Sequence, residues 1–311
     1  MLDLRQIQYF VCLHEERSVT RAARHLNVVQ PALSMQINRL EKRLGLSLFD
    51  RTAHGMIPTA AGEAMYRLYV PILLDLKNAS QRVMELSGKV LGKIAVGIIP
   101  SITNSVLADV LRRFGNDYPD VAIRIDEAYS GTLIDWVMTG ELDFAIVNNA
   151  RRKAGLAALT LLDERLVLVE RASSKDEPAP IAFKRIKGLP LVLPSRRHGI
   201  RSIVDDAAEK VGIQIVPQIE VDALAPTLKL VAETELTTVL PTVVAQKSIA
   251  NLPLRTRRII EPMLKRQLVC VHHAQRPLSR VMTAFVDVLT NELKEAMALS
   301  VRLSGPSKNA K

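Results

Sequence analysis

Amide and hydroxyl side chains at helical spacing near the N-terminus could form hydrogen bonds with DNA bases. Apolar residues recur on one face of a helix predicted over residues 31–44. The other face carries the candidate base contacts Gln30, Ser34, Met35 and Asn38. Amide side chains can bond base edges in the major groove. A three-helix packing module with a solvated polar face has the same spacing, so the pattern alone leaves both interpretations open.

A second set of polar residues follows predicted strands in the C-terminal two hundred residues. Ligands of open α/β sheets lie at the carboxyl ends of the strands. Hydroxyl groups beside helix N-termini suit a carboxylate or another anion. The candidate ligand contacts are Ser101, Thr103, Ser130, Gly131, Asn148, Ser195 and His198. For each of them, helix capping by a small polar residue is the alternative.

Three short helices position the candidate base contacts. The first is predicted over residues 4–14, and Ser18 can cap a second helix that ends at Asn27, a residue type that tolerates a left-handed turn. Gly45 ends the third helix. Two helices joined by such a tight turn form a helix-turn-helix, whose second helix reads the major groove.

A hairpin and a long helix follow this motif. Residues 46–58 are typical of a small wing, with His54 near its tip. Thr59 caps a helix that continues to about residue 87 and carries an apolar stripe typical of a dimer seam. Pro71 lies inside this helix and is expected to kink it or to open it locally.

Beyond a glycine-bounded hinge at residues 88–92, strands and helices alternate. The βαβαβ order at the start of this region predicts a parallel sheet, and a second such unit predicts a second lobe. The fold class is therefore α/β overall, with an N-terminal winged helix-turn-helix, a long linker helix and a two-lobed α/β domain. The predicted boundaries are 1–58, 59–87, 88–92, lobe I at 93–163 and 267–299, lobe II at 164–266, and a disordered tail at 300–311.

Composition limits the class of protein. The 42 Lys and Arg residues exceed the 32 Asp and Glu residues, and a net charge of +10 favours an anionic partner. Twelve aromatic residues are too few for a base-stacking platform. The longest apolar stretch is too short to span a bilayer, and the N-terminus lacks the pattern of a signal peptide. We therefore expect a cytoplasmic protein without a membrane partner.

Motifs for catalysis or metal binding are missing from the sequence. The segment that begins at His14 lacks the second histidine of a zinc protease helix, and no nucleophile elbow, dinucleotide fingerprint or phosphate loop is present. Ser195, His198 and Asp205 lack the elbow that would present a nucleophilic serine. Cys12 and Cys270 are expected to be unpaired core thiols. We expect no catalytic residue, no metal and no cofactor; a solute-binding protein over residues 92–298, or an α/β enzyme acting on a small anion, is the alternative.

The N-terminal motifs together resemble the LysR-type transcriptional regulators. The motifs that carry this resemblance are RQIQYF (5–10), SVTRAARHLNV (18–28), QPALSxQIxxLE (30–41), LGxxLFxR (44–51) and PTxxG (58–62). By position, the resemblance implies that Gln30, Pro31 and Ser34 meet the groove, and that Thr20 and Arg51 contact the DNA backbone. The helix after Thr59 matches the family's dimer linker.

Three departures from the family pattern involve four positions. Val29 stands where the family often has a serine cap, Met35 where it often has arginine, and His54 and Gly55 where the wing is often basic. A methionine cannot form the bidentate contact that arginine makes with guanine, and a thymine methyl group is the alternative contact. These departures concern which bases are contacted rather than the fold.

The C-terminal motifs resemble the effector domain of the nitrogen-assimilation control branch of the same family. These motifs are GIIPS (97–101), YPDV (118–121), GELDFAI (140–146), LPLVLPSxxHGIR (189–201) and RPLS (276–279). The resemblance implies a sensor domain similar to periplasmic binding proteins. Glu233 and Glu235 replace a glycine-rich turn, so the usual effector class does not transfer directly.

The sequence thus predicts a transcription regulator that binds double-stranded DNA as a homodimer or homotetramer. A small-molecule effector, expected to be anionic, would occupy the cleft between the lobes and control DNA binding or promoter activation. RNA polymerase is the expected protein partner of such a regulator.

Overall fold

The computed structural model describes residues 3–52, 55–85, 92–148, 154–172 and 179–303. Its contacts divide the chain into an N-terminal unit, Met1–Leu86, and a C-terminal unit, Ser87–Lys311. The candidate wing residue His54, residues 88–91 of the predicted hinge and residues 304–311 of the predicted tail lie outside the described residues.

The helices of the N-terminal unit begin and end where local chemistry predicts. They are α1 (Leu4–Glu16), α2 (Val19–His25) and α3 (Gln30–Leu44). The Ser18 hydroxyl accepts a hydrogen bond from the Arg21 backbone N–H at 3.4 Å, which confirms the predicted cap. Asn27 adopts φ 53° in the turn, and Gly45 ends α3 at φ 66°. Val29 precedes α3 without a side-chain cap because valine has no polar side-chain atom.

A small apolar core holds these helices and the wing together. Its fully or almost fully buried members include Phe10, Leu13, Ala22, Ala23, Leu33, Ile37, Leu40 and Leu48. The wing consists of β1 (Phe49–Thr52) and β2 (Gly55–Pro58), which pair antiparallel. The Glu41 carboxylate accepts backbone N–H bonds from Leu48 at 2.7 Å and Phe49 at 3.2 Å. The end of α3 therefore anchors the start of the wing.

The long helix α4 (Ala60–Glu85) extends from the wing. The Thr59 hydroxyl accepts the Gly62 backbone N–H at 3.1 Å, as the predicted cap requires. The helix continues without a break through Pro71, which removes one backbone hydrogen bond. Its apolar residues Leu68, Ile72, Leu76 and Val83 are exposed.

Lobe I of the C-terminal unit is built on parallel strands. Its elements are β3 (Gly92–Ile98), α5 (Pro100–Thr103), α6 (Leu107–Asp117), β4 (Val121–Glu127), α7 (Ser130–Thr139) and β5 (Phe144–Asn148). Strand β3 lies between β4 and β5 and pairs parallel with both. This arrangement confirms the parallel βαβαβ unit that the sequence predicts.

Two long strands cross between the lobes: β6 (Leu156–Arg171) and β12 (Lys265–His273). Strand β12 pairs antiparallel with both β5 and β6, so the sheet of lobe I is mixed. The later part of β6 pairs with β10 (Thr238–Pro241) and β11 (Leu254–Ile260) in lobe II. The predicted strand over residues 166–169 is too short because exposed polar residues such as Thr160 and Asp163 interrupt the apolar pattern of β6.

The remaining elements complete lobe II and return to lobe I. They are β7 (Ile181–Ala182), α8 (Phe183–Ile186), β8 (Val192–Leu193), α9 (Gly199–Lys210), β9 (Ile219–Glu220), α10 (Leu224–Glu233), α11 (Thr242–Ile249) and α12 (Arg280–Leu303). The sequence did not predict β7, α8, α11 or β11. The prediction of disorder from residue 300 is wrong at residues 300–303, because no glycine or proline stops α12 before Gly305. None of the helices within the described ranges could span a membrane.

Gly62 is a close-approach position that tests the junction between the wing and α4. A Cβ atom at Gly62 would lie 2.2 Å from the Leu48 carbonyl oxygen. We therefore expect Gly62→Ala to destabilise the N-terminal unit by about 3 kcal/mol, the upper end of the usual cost of overpacking. Hydrogen exchange of the amides in α1, α2 and α3 measures this unit separately.

Gly115 provides the matched control for this substitution. It is exposed on α6, and no described atom lies within 4 Å of the position a Cβ would take. Gly115→Ala should stabilise the C-terminal unit by about 0.5–1 kcal/mol, because alanine loses less backbone freedom in a helix than glycine. If amide hydrogen exchange in α1, α2 and α3 is the same in Gly62→Ala as in the wild type, the close packing of α4 against the wing is contradicted.

Candidate nucleic-acid interface and effector pocket

The outer face of α3 presents most of the candidate base contacts to solvent. Gln30, Pro31, Met35 and Asn38 are exposed, whereas Ser34 is half-buried. The Gln30 side-chain Nε2 donates to the Thr20 hydroxyl at 3.0 Å. This bond links α2 to the first residue of α3 and holds Gln30 in one orientation.

The wing is tied to the same face. Arg51 on β1 donates from Nη2 to the Asn38 Oδ1 atom at 3.4 Å. The Asn38 amide oxygen therefore already accepts one hydrogen bond. The structure brings Thr20 next to Gln30 and Arg51 next to Asn38, which places the predicted backbone contacts beside the predicted base contacts.

A buried ion pair lies where β6 and β12 cross between the lobes. Glu164 on β6 and Arg266 on β12 are 3% and 2% exposed. Arg266 Nε donates to Glu164 Oε1 at 2.6 Å, and Nη2 contacts the same oxygen. Burial lowers the pKa of Arg266, and the neighbouring Glu164 carboxylate acts in the opposite direction.

This ion pair holds elements of both lobes. Arg266 Nη1 donates to the Ser101 hydroxyl at 2.7 Å and to Asn148 Oδ1 at 3.1 Å, both in lobe I. Glu164 Oε2 accepts the backbone N–H of Val243 at the start of α11, in lobe II. The ion pair is therefore one of the contacts between the two lobe segments.

A narrow pocket lies between the lobes beside this ion pair. Its free volume is about 40 Å³, and its lining residues are Pro100, Ser101, Pro194, His198, Ile200, Val221, Asp222, Ala223, Leu224, Thr227, Thr238, Val239, Leu240, Pro241 and Val244. Most of these side chains are apolar. The Thr238 hydroxyl is buried and has no hydrogen-bond partner among the described residues. Such a pocket holds only a few small atoms or waters.

His198 is a neutral donor at the wall of this pocket. Its Nδ1 accepts the Ile200 backbone N–H at 3.2 Å, which places the ring proton on Nε2. Burial lowers the pKa of His198, and the attraction of Asp222 only partly opposes this effect. His198 therefore caps α9 through one nitrogen and can donate a hydrogen bond through the other.

Asp222 connects the lobes at the edge of the pocket. It accepts bonds from the Ser195 backbone N–H at 2.8 Å and the Ser195 hydroxyl at 3.0 Å. The Tyr129 hydroxyl of lobe I also bonds this carboxylate. Burial favours the protonated acid, but these three bonds keep the pKa of Asp222 below its usual value. Burial and the bond to Asp222 raise the pKa of Tyr129 to about 12.

The structure brings only some of the seven predicted ligand contacts to the pocket wall. Ser101 and His198 line the pocket, whereas Asn148 lies behind Ser101 on Arg266. Ser195 holds Asp222 and does not line the pocket. Three others lie along the edge of lobe I: Thr103 bonds Glu127, Ser130 accepts the Asn148 backbone N–H, and Gly131 is exposed.

Sequence reasoning missed Tyr129, Glu164, Asp222, Thr238 and Arg266. Two of them carried a usable signal, because Tyr129 and Asp222 stand just after β4 and β9, where the rule on carboxyl strand ends applies. Arg266 and Glu164 become partners only when two distant strands pair. No cluster of His, Cys, Asp and Glu that could hold a metal ion occurs within the described ranges.

The lowered pKa of His198 predicts a specific loss of stability in acid. The unfolded chain binds a proton near pH 6.5, whereas the folded chain binds it only at lower pH, so stability falls as the pH drops below about 6.5. We expect His198→Asn, which keeps a capping acceptor, to lose less stability than wild type between pH 7 and pH 5. Urea unfolding followed through Trp136 measures both proteins, and equal losses would contradict the prediction.

Comparisons with known families match both units. The model of the bacterial regulatory helix-turn-helix protein, lysR family, matches residues 4–63, and that of the LysR substrate binding domain matches residues 87–294. The HTH-type transcriptional regulator BbuR of Bordetella bronchiseptica is 31% identical over 72% of this chain and 69% of its own. The nitrogen assimilation regulatory protein nac of Klebsiella aerogenes is 29% identical over 70% of this chain and 72% of its own.

Solved structures share the fold. A full-length OxyR variant from Pseudomonas aeruginosa has a TM-score of 0.75 at 23% identity and covers 94% of this chain and 95% of its own. Full-length CbnR complexed with its target DNA has a TM-score of 0.65 at 21% identity, covering 94% of this chain and 100% of its own. The named relatives are regulators rather than enzymes or solute-binding proteins. The chain belongs to the LysR family of transcriptional regulators, with a helix-turn-helix domain followed by an effector-binding domain.

Proposed function

We propose that this regulator reads its operator through α3 and responds to a small carboxylate bound between the lobes of its C-terminal unit. Gln30, Pro31, Ser34, Met35 and Asn38 would face the major groove. Thr20 and Arg51 would contact the DNA backbone, and His54 would contribute a DNA contact from the wing. Each pair of subunits would then meet half-sites about 34–36 Å apart or at a multiple of that spacing.

The observation that carries the effector proposal is the set of donors in the pocket. The Ser101 hydroxyl accepts from Arg266, and no described acceptor takes its own proton. His198 presents an Nε2–H group, and Thr238 presents a hydroxyl without a partner. Asp222, the carboxylate in the wall, already accepts three hydrogen bonds. A ligand that enters must therefore supply acceptors, and a carboxylate supplies the most for its size.

The small size of the pocket supports the proposal that binding separates the lobes. About 40 Å³ is far below the volume of a typical ligand pocket, so a carboxylate with a carbon chain would need a wider cleft. Admission of such a ligand would lengthen the bond between Tyr129 of lobe I and Asp222 of lobe II. The ligand would then favour the more open arrangement in proportion to its better fit there.

Family membership and the exposed face of α4 support the proposal of the other partners. Several apolar residues of α4 are exposed, and Leu68 is 66% exposed. Packing of these residues against another subunit would form a homodimer or a homotetramer. We place the assembled protein in the cytoplasm on double-stranded DNA, where RNA polymerase would be its protein partner at a promoter.

A thermal-shift screen of the full chain tests the effector proposal. Small aliphatic and aromatic carboxylates are compared with their uncharged amides and with amines of the same carbon skeleton. We expect at least one carboxylate to raise the melting temperature of the wild type by several degrees, and its amide to have a smaller effect. Ser101→Ala should lose this shift because it removes a donor from the pocket.

Ser202→Ala is the matched control, because Ser202 lies exposed on α9. It should keep the wild-type shift. A regulator stabilised by amines and not by any carboxylate would show that the effector is not anionic. A carboxylate shift that survives in Ser101→Ala would show that the ligand binds outside this pocket.

A further inference from the structure

The exposed face of α3 contains a methionine where a polar side chain would be expected. Met35 is 45% exposed, and it lies four residues after Pro31 on the same face of the helix. Val29, immediately before α3, is 69% exposed. The surface proposed to contact DNA bases therefore begins at the apolar Val29 and continues along an apolar strip formed by Pro31 and Met35.

Two polar neighbours of this strip, Gln30 and Asn38, each already form one side-chain hydrogen bond. Gln30 donates one amide hydrogen to Thr20, and Asn38 accepts from Arg51 through its oxygen. Both amides are thus held in place, one before and one after Met35 along α3. The thioether of Met35 is too weak a hydrogen-bond acceptor to read a base edge, so any selectivity at this position must come from an apolar contact.

The major groove contains one apolar feature, the C5-methyl group of thymine. A methionine side chain is flexible and polarizable, so it can pack on a methyl group whose position varies slightly. We propose that Met35 determines specificity at one base pair of each half-site by packing on a thymine methyl group. The inference rests on the proposed placement of α3 in the major groove.

The size of the expected effect follows from the burial of one methyl group. Removal of the thymine methyl group from one half-site should weaken DNA binding about fourfold. Removal from both half-sites should weaken binding about fifteenfold, because the two contacts act in one complex.

The experiment begins with selection from random-sequence duplexes by the full-length wild type. Each thymine of the enriched duplex is then replaced by deoxyuridine, which removes only the methyl group. Dissociation constants are measured at one fixed salt concentration, because phosphate contacts depend strongly on salt. We expect one thymine in each half-site to show the fourfold loss.

Three variants assign the loss to one side chain. Met35→Ala should bind the thymine and deoxyuridine duplexes equally at that position and keep all other preferences. Met263→Ala, which shortens an exposed methionine of the C-terminal unit, should behave as wild type. Met35→Arg should prefer guanine at that position, since arginine bonds the O6 and N7 atoms of guanine.

Each contrary result has its own meaning. Equal binding of thymine and deoxyuridine duplexes by wild type overturns the methyl contact, as does discrimination that survives in Met35→Ala or a thymine preference retained by Met35→Arg. If the wild type enriches no sequence, or Gln30→Ala leaves an enriched sequence unaffected, the placement of α3 as the reading helix fails instead.

Discussion

Arg266→Met is expected to lower the free energy of unfolding of the C-terminal unit by about 3–5 kcal/mol, the usual cost of breaking a buried ion pair on one side. Arg266 is 2% exposed and donates to Glu164, Ser101 and Asn148. Its removal leaves the Glu164 carboxylate buried without a countercharge. It also leaves two lobe I side chains without their donor.

Urea unfolding followed through Trp136, the one tryptophan of the chain, measures this loss in the C-terminal unit. Arg112→Met is the control, because Arg112 forms an exposed pair with Asp109 and should cost less than about 1 kcal/mol. The double variant Glu164→Leu, Arg266→Met should recover at least half of the loss, since it removes both charges. A single variant that costs no more than the control would refute the role of the ion pair.

Gln30→Ala is expected to weaken binding to the selected operator by about 1–3 kcal/mol for each half-site, the worth of a bidentate contact to adenine. The Gln30 amide donates one hydrogen to Thr20, so its Oε1 atom and its second amide hydrogen remain for a base. Adenine offers a matching donor and acceptor. Binding to scrambled DNA should change little. Phosphate contacts carry non-specific affinity. We expect residues 1–58, which contain eight basic and five acidic residues, to make these contacts.

Competition assays with operator and scrambled duplexes at one salt concentration measure this difference. Ser34→Ala should follow the same direction with a smaller loss, since a hydroxyl makes only one bond to a base. Gln275→Ala changes an exposed glutamine of the C-terminal unit and should bind both duplexes as wild type does. Parallel losses on operator and scrambled DNA would assign Gln30 to the backbone rather than to the bases.

Local chemistry explains why the N-terminal unit was predictable in such detail. Ser18, Asn27, Gly45 and Thr59 each determine a helix end through groups within a few residues. Parallel pairing of β3 with β4 and β5 also follows from local order, because each strand is joined to the next by a helix. The length of β6 was misjudged because its two parts lie in different surroundings, and polar residues between them hide the strand pattern.

The sequence by itself determined the family, the helices of the N-terminal unit and the composition of the exposed face of α3. It also identified Ser101 and His198 as candidate ligand contacts, because ligands of open α/β sheets lie at the carboxyl ends of the strands. Only the tertiary structure decided what these residues meet. Arg266 lies 102 positions after Glu164, and Asp222 lies far from Tyr129 in the chain. Such partners come together when strands cross and lobes close, and local sequence patterns carry no information about contacts of that range.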